Sequence, residues 1–195
     1  MFQRLALLIA FLAVAAVAVA QPVTQQQAQD SDRIMQQIEK VDILNQLLPI
    51  AMNKDQLNAI LPAVEKARQK AKDLQAKEAS ELAEVDDETA KAVKDGTGKG
   101  DMPSKDLIHK LYALLIKMDA DRTVLIEQNV DLVYDAVDKA LNAGQKKAMA
   151  NSLDPKYFGG KIDREKMSQE DLMRLFIQQI FLDPLGYEVL VEMDK

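Results

Sequence analysis

From Ser31 onward, apolar residues recur three or four positions apart, with charged and amide side chains between them. That spacing describes one face of an α-helix, and alternation of period two never lasts long enough to suggest a strand. A first helix is predicted from about Ser31 through Ile34, Ile38, Val41, Leu44 and Leu48, ended or kinked by Pro49. A second starts at Lys54 and carries Leu57, Ile60, Leu61, Val64, Ala67, Ala71, Leu74, Leu82, Val85 and Val93 on one stripe. The glycines and proline of residues 95–103 predict its end. Ser104 can cap a third, with Leu107, Leu111, Leu114, Leu115, Met118, Leu125, Leu132, Val133, Ala136 and Ala140 aligned.

Two long helices joined by a glycine-rich turn predict an antiparallel hairpin over residues 53–141, and Pro62 inside the second helix predicts curvature. Neither helix can bury its stripe alone, so each packs on the other or on a partner. Beyond Asn151 the texture changes. A loop with Pro155, Gly159 and Gly160 precedes a helix opened by a box-like cap, Ser168 to Asp171. Asp183 and Pro184 then punctuate the chain before a last short helix. The expected fold is all-α: a long curved antiparallel helical hairpin with N- and C-terminal helices packed along it. It forms a single helical domain over 31–195, with residues 151–195 as a C-terminal extension. Met35, Met118, Met149, Met167 and Met173 fall at helical core positions.

The amino-terminal end has another character. Arg4 precedes an uninterrupted apolar run over residues 5–20, closed by Ala18 and Ala20. This is the layout of a secretory signal peptide, with cleavage predicted after Ala20 and a periplasmic or secreted product. The run falls short of the roughly 20 apolar residues that a spanning helix needs, so no stable membrane insertion is expected after cleavage. Residues 21–30, Gln-rich with one proline, read as a flexible lead-in.

Composition narrows the chemistry. The formal net charge is −6, with 25 basic and 31 acidic residues, which opposes nucleic acid as a partner. With no cysteine, stability rests on the core rather than on disulfides, and a 195-residue chain can build one. His109 is the single histidine, so neither a closed zinc site nor a Ser-His-Asp triad has its parts. Residues 96–100, GTGKG, lack the spacing of a phosphate loop, and the acidic start at Asp119 lacks the glycine of a calcium loop. Residues 84–88, EVDDE, read as a solvated helix face. No enzyme activity, cofactor or metal is expected.

Asn53 and Gln56, in MNKDQ, have the chemistry of a capping box, with Met52 and Leu57 in the positions of a hydrophobic staple. Asn142 and Gln145, in LNAGQ, repeat the box with Lys146 where the staple partner stood. A hydrophobic residue followed by a capping residue and Gln, heading two helices of a long hairpin, resembles the Spy/CpxP-type periplasmic proteins with paired LTxxQ motifs. The resemblance covers about residues 31–150. Asn stands for Thr at both sites and Met for Leu at the first. It implies an often dimeric, cradle-shaped helical protein that acts as an ATP-independent chaperone or a stress- or metal-linked accessory. The expected function is therefore chaperone-like protein binding in the cell envelope. The expected client surface is the apolar set Leu61, Val64, Leu111, Leu115 and Met118. The alternative is an envelope assembly protein that docks a dedicated partner through Asp183, Pro184, Leu185 and the aromatics before them, among them Tyr157, Phe158, Phe176 and Phe181.

Overall fold

The computed structural model describes residues 25–154 and 164–195. Among them every regular element is helical: α1 (Gln25–Leu47), α2 (Lys54–Ala83), α3 (Asp86–Lys99), α4 (Lys105–Ala140), α5 (Ala143–Ser152), α6 (Gln169–Phe176) and α7 (Pro184–Asp194). Short 3-10 turns at Leu48–Ile50 and Arg164–Lys166 and one π-helical turn at Ile177–Phe181 complete the set. The all-α class is as the periodicity predicts. The signal segment 1–20 and the aromatics Tyr157 and Phe158 lie outside the described residues.

The chain divides into two units, residues 1–39 and 40–195. In the first, the lead-in expected over 21–30 is already helical from Gln25, because its glutamines are adequate helix formers. Ile34, Met35 and Ile38 are exposed there, so Met35 is no core residue. In the second unit the end of α1 buries Ile43, Leu47 and Ile50, while Val41 and Leu48, both assigned to the stripe, face solvent.

The hairpin is read directly from cross-helix bonds. Gln56 of α2 bonds the Ala140 carbonyl of α4, Ala67 pairs with Asn129, Glu78 with Arg122, Glu81 with Lys117, and Glu88 of α3 with Lys110. Rising along one strand of helix matches falling along the other, so α2 and α3 run antiparallel to α4. The 36 residues of α4 make a rod of about 54 Å. α2 runs through Pro62 without interruption. The first arm is not continuous, however: a turn at Glu84 and Val85 separates α2 from α3, and Val85 is buried in it. Asp86, Asp87 and Glu88 consequently form the first turn of α3, where their charge suits the positive end of the helix dipole, rather than a mid-helix face. The glycine-rich break is also shorter than expected. α3 stays helical through Gly96 and Gly98, and the turn is made at Gly100, whose φ of 76° places it in the left-handed region that glycine tolerates best.

The hydrophobic core sits at one end of the hairpin. Leu57, Ile60, Leu61, Val64 and Ala67 from α2 meet Val130, Val133, Val137 and Leu141 of α4. Met149 and Leu153 from α5, Met173, Phe176, Ile180 and Phe181 around α6, and Val189 and Leu190 of α7 close it. Phe176 and Phe181 stack edge to face, with ring centroids 5.7 Å apart. The caps predicted at Ser104 and Ser168 are formed: their hydroxyls accept from the backbone amides of Leu107 and Asp171, each at 3.1 Å. Asp183 caps α7 by accepting from Leu185 and Gly186, with Pro184 in the first turn.

Candidate functional site

Both capping boxes form as the residue pattern predicts. Asn53 Oδ1 accepts from the Gln56 amide at 2.9 Å, and Gln56 Oε1 accepts from the Asn53 amide at 3.1 Å. Asn142 and Gln145 repeat this at 3.0 and 3.1 Å. The two boxes also meet. Gln56 and Gln145 exchange side-chain hydrogen bonds of 2.8 Å in each direction. Each amide spends its second N–H on a backbone carbonyl: Gln56 on Ala140 and Gln145 on Ala51. The paired motif is thus a clasp between the start of α2 and the start of α5, with both glutamine amides fully hydrogen-bonded. Neither glutamine amide is left free to offer a ligand.

The five apolar residues expected to form a client surface do not share one. Leu61 and Val64 belong to the core and Met118 is buried between the arms of the hairpin. Leu111 is half-buried, lining a small apolar groove between α3 and α4. Leu115 alone is freely exposed. The first three turn inward because helical periodicity marks the face that packs, and only the neighbours decide which apolar residues remain outside. The C-terminal aromatics assigned to partner docking, Phe176 and Phe181, are wholly interior.

What the structure leaves in solvent is different. Among the described residues of the second unit, no further helix packs on the hairpin beyond Ala67 and Asn129, and Tyr112, Leu115 and Ile116 project from this two-helix arm, 63%, 56% and 69% exposed. Positions i, i+3 and i+4 of a helix share one face, so these three side chains form one patch. Leu82 and Val93 are exposed on the other arm. Beside the patch, the groove at the tip of the hairpin, about 330 Å³, is lined by Val93, Ile108 and Leu111 and is almost wholly apolar.

Charge holds the arm together. Arg122 grips Glu78 through two parallel bonds, Nε to Oε1 and Nη2 to Oε2, both 2.7 Å, and the glutamate is 7% exposed. These hydrogen bonds hold the Glu78 carboxyl below its ordinary range. Lys77 and Lys117 both bond Asp121 and lower its carboxyl in the same way. Lys117 also bonds Glu81, which raises the lysine. At the core end, Arg174 Nη1 bonds Asp131 at 2.5 Å and its guanidinium lies over the Tyr134 ring. Sequence reasoning missed the Glu78–Arg122 pair. Its signal was present as gaps in the stripes, from Leu74 to Leu82 and from Met118 to Leu125, which these two residues fill.

His109 is exposed on α4, and Asp119 lies mid-helix rather than in a loop. Among the described residues no helix is long and apolar enough to cross a membrane. The fold and its contacts define an all-α protein whose antiparallel hairpin carries a packed base and a thinner, solvent-exposed arm. Comparison of the chain with protein-family models, with curated proteins and with solved structures finds no match.

Proposed function

We propose that the protein is a non-catalytic, chaperone-like binding protein of the cell envelope that holds apolar segments of unfolded polypeptides against the outer arm of its hairpin. The exposed patch of Tyr112, Leu115 and Ile116 carries this reading. Large apolar side chains grouped on one exposed helix face mark a contact surface. The adjacent apolar groove gives a client side chain a place to insert. Lys110, Lys117 and Glu81 around the arm keep its surroundings polar. Such a surface engages many sequences weakly, because apolar contact carries no directional requirement. The envelope location rests on the apolar segment of residues 5–20.

The test is suppression of client aggregation. Purified protein at stoichiometric amounts should delay aggregation of a chemically unfolded client, measured by light scattering. The double variant Leu115→Glu, Ile116→Glu should lose this effect while its thermal unfolding stays unchanged, since both residues are on the surface. Equal scattering with the native protein and with the variant removes the reading.

A further inference from the structure

The helices of the hairpin are anchored unequally. α2 buries Leu57, Ile60, Leu61, Val64, Ala67 and Glu78, whereas α3 buries no side chain. From α2 to α7 each other helix opens on a side-chain cap, formed by Asn53, Ser104, Asn142, Ser168 or Asp183. α3 opens on Val85, which supplies none, so its first turn lacks the acceptor that the others have. Gly96 and Gly98 lie inside it, each a poor helix former. Among the described residues one ion pair, Lys110 to Glu88 at 3.3 Å, joins α3 to α4, and both partners are half-exposed.

Short connections bound α3 at both ends. The turn at Glu84 and Val85 precedes it, and Gly100, with φ 76°, begins the irregular stretch that leads to Ser104. A swing of α3 as a body therefore needs backbone changes in these two places alone.

What α3 covers is apolar. The groove between it and α4 is lined by Thr89, Ala92 and Val93 on one wall and by Leu107, Ile108 and Leu111 on the other. Leu107 is 4% exposed. Leu107, Leu111 and Leu115 follow one another at i, i+4 and i+8, and Tyr112 follows Ile108 at i+4, so the covered residues continue the exposed patch along the same rod. The α3 wall also holds a polar group in the wrong place: Thr89 Oγ1 is buried with no hydrogen-bond partner. A hydroxyl so placed has lost its water bonds without replacement, which disfavours the closed arrangement and is relieved when α3 moves away.

We propose that α3 is a hinged cover on the client surface. It swings about the turn at Glu84 and Val85, and the swing adds Leu107, Ile108 and Leu111 to Tyr112, Leu115 and Ile116 as one apolar strip on α4. The covered state is the resting one. An unfolded segment lying on the strip holds the cover open, because it binds that state alone. This regulation rests on the client-holding reading and adds how the surface is enlarged when a client arrives.

The chain has no cysteine, so introduced pairs are unique. Spin labels on Lys94→Cys and Ala113→Cys, both exposed positions, report the distance between α3 and α4. A longer distance is expected beside the closed one. Thr89→Val, which replaces the unpartnered hydroxyl by a methyl of the same shape, should lower the share of the longer distance at least about fivefold, and saturating unfolded client should raise it. In a separate protein, Glu88→Cys and Lys110→Cys are tethered by a bismaleimide with a reducible spacer. Tethered, it should suppress client aggregation at least about fivefold less well than after the spacer is reduced. One narrow distance that neither Thr89→Val nor client alters overturns the proposal, and so does a tethered protein that holds client as well as the released one. If the native protein fails to suppress aggregation while Thr89→Val still shifts the distances, the client-holding reading falls and the hinge stands.

Discussion

Gln56 and Gln145 hold each other through two amide hydrogen bonds of 2.8 Å while each also closes a helix cap and bonds a backbone carbonyl on the opposite side. Residues 89 positions apart thereby act as one structural unit. Removing either amide leaves its partner, a cap N–H and a carbonyl without their bonds. Gln56→Ala and Gln145→Ala should each destabilise the fold by about 2 kcal/mol. The double variant should cost less than the two single costs combined, by about 1 kcal/mol, because the second change removes a partner already lost. Urea denaturation of the four proteins measures this, and strict additivity would show that the two caps act independently.

Ala51 leads into the first cap with φ 51° and ψ 46°, a left-handed conformation that costs an alanine about 1–2 kcal/mol. Its carbonyl is nevertheless needed there, as the acceptor for Gln145. Ala51→Gly keeps that carbonyl and removes the Cβ penalty, at the expense of a more flexible unfolded chain. A net gain of about 0.5–1 kcal/mol is expected. A lower urea midpoint for the glycine variant would contradict it.

Much of the base was legible in the stripes. Leu57, Ile60, Leu61, Val64 and Ala67 are spaced for one face and are buried together, and both capping boxes follow from Asn and Gln three residues apart. The arm was less legible because periodicity records which face is apolar, not how many layers cover it. Leu115 and Leu111 share a stripe with Leu107 and Met118, yet their exposures differ because, among the described residues of the second unit, α4 meets one helical arm there. Polar residues inside a stripe were the other blind spot. Glu78, Arg122 and Asn129 occupy gaps in the apolar pattern, and each faces a group on the opposite helix that only the hairpin register brings near. The turn at Glu84 and Val85 had no glycine or proline to announce it.

The pH response should begin in the arm. Glu78 is lowered by its Arg122 bonds and Asp121 by Lys77 and Lys117, so the folded state favours both carboxylates. Their contribution is complete above the unfolded carboxylate values, about 4, and is lost as pH falls through the lower folded values. Lys117, raised by Glu81, behaves oppositely: its contribution is complete below the unfolded lysine value and fades as pH rises through the folded one. Amide hydrogen exchange at acid pH should therefore speed up over residues 72–84 and 111–125 before it does in the base, where burial carries the stability. In Glu78→Gln the acid-side increase should be shallower. Simultaneous loss of protection in arm and base would show that the ion pairs do not govern the arm separately.

Gly186 is the position where the base tolerates least. It lies in the first turn of α7, is buried, and gives its amide to Asp183 Oδ1 at 3.0 Å. A Cβ built there would overlap the carbonyl oxygen of Ile180 at the end of the π-helical turn, and that neighbour is backbone, which cannot rotate away. α7 approaches the turn this closely because a glycine stands at the crossing, and the approach lets Val189 and Leu190 reach the core beside Phe181. Gly186→Ala should force the two elements apart and cost about 3 kcal/mol or more, well above an ordinary surface substitution. The same change at Gly98, where nothing lies within 4 Å of the added atom and the residue is helical, should stabilise instead by about 0.5–1 kcal/mol. Denaturation of the two variants side by side decides it. If Gly186→Ala unfolds at the native midpoint, the close packing of α7 on the π-helical turn is not what holds the C-terminal segment in the core.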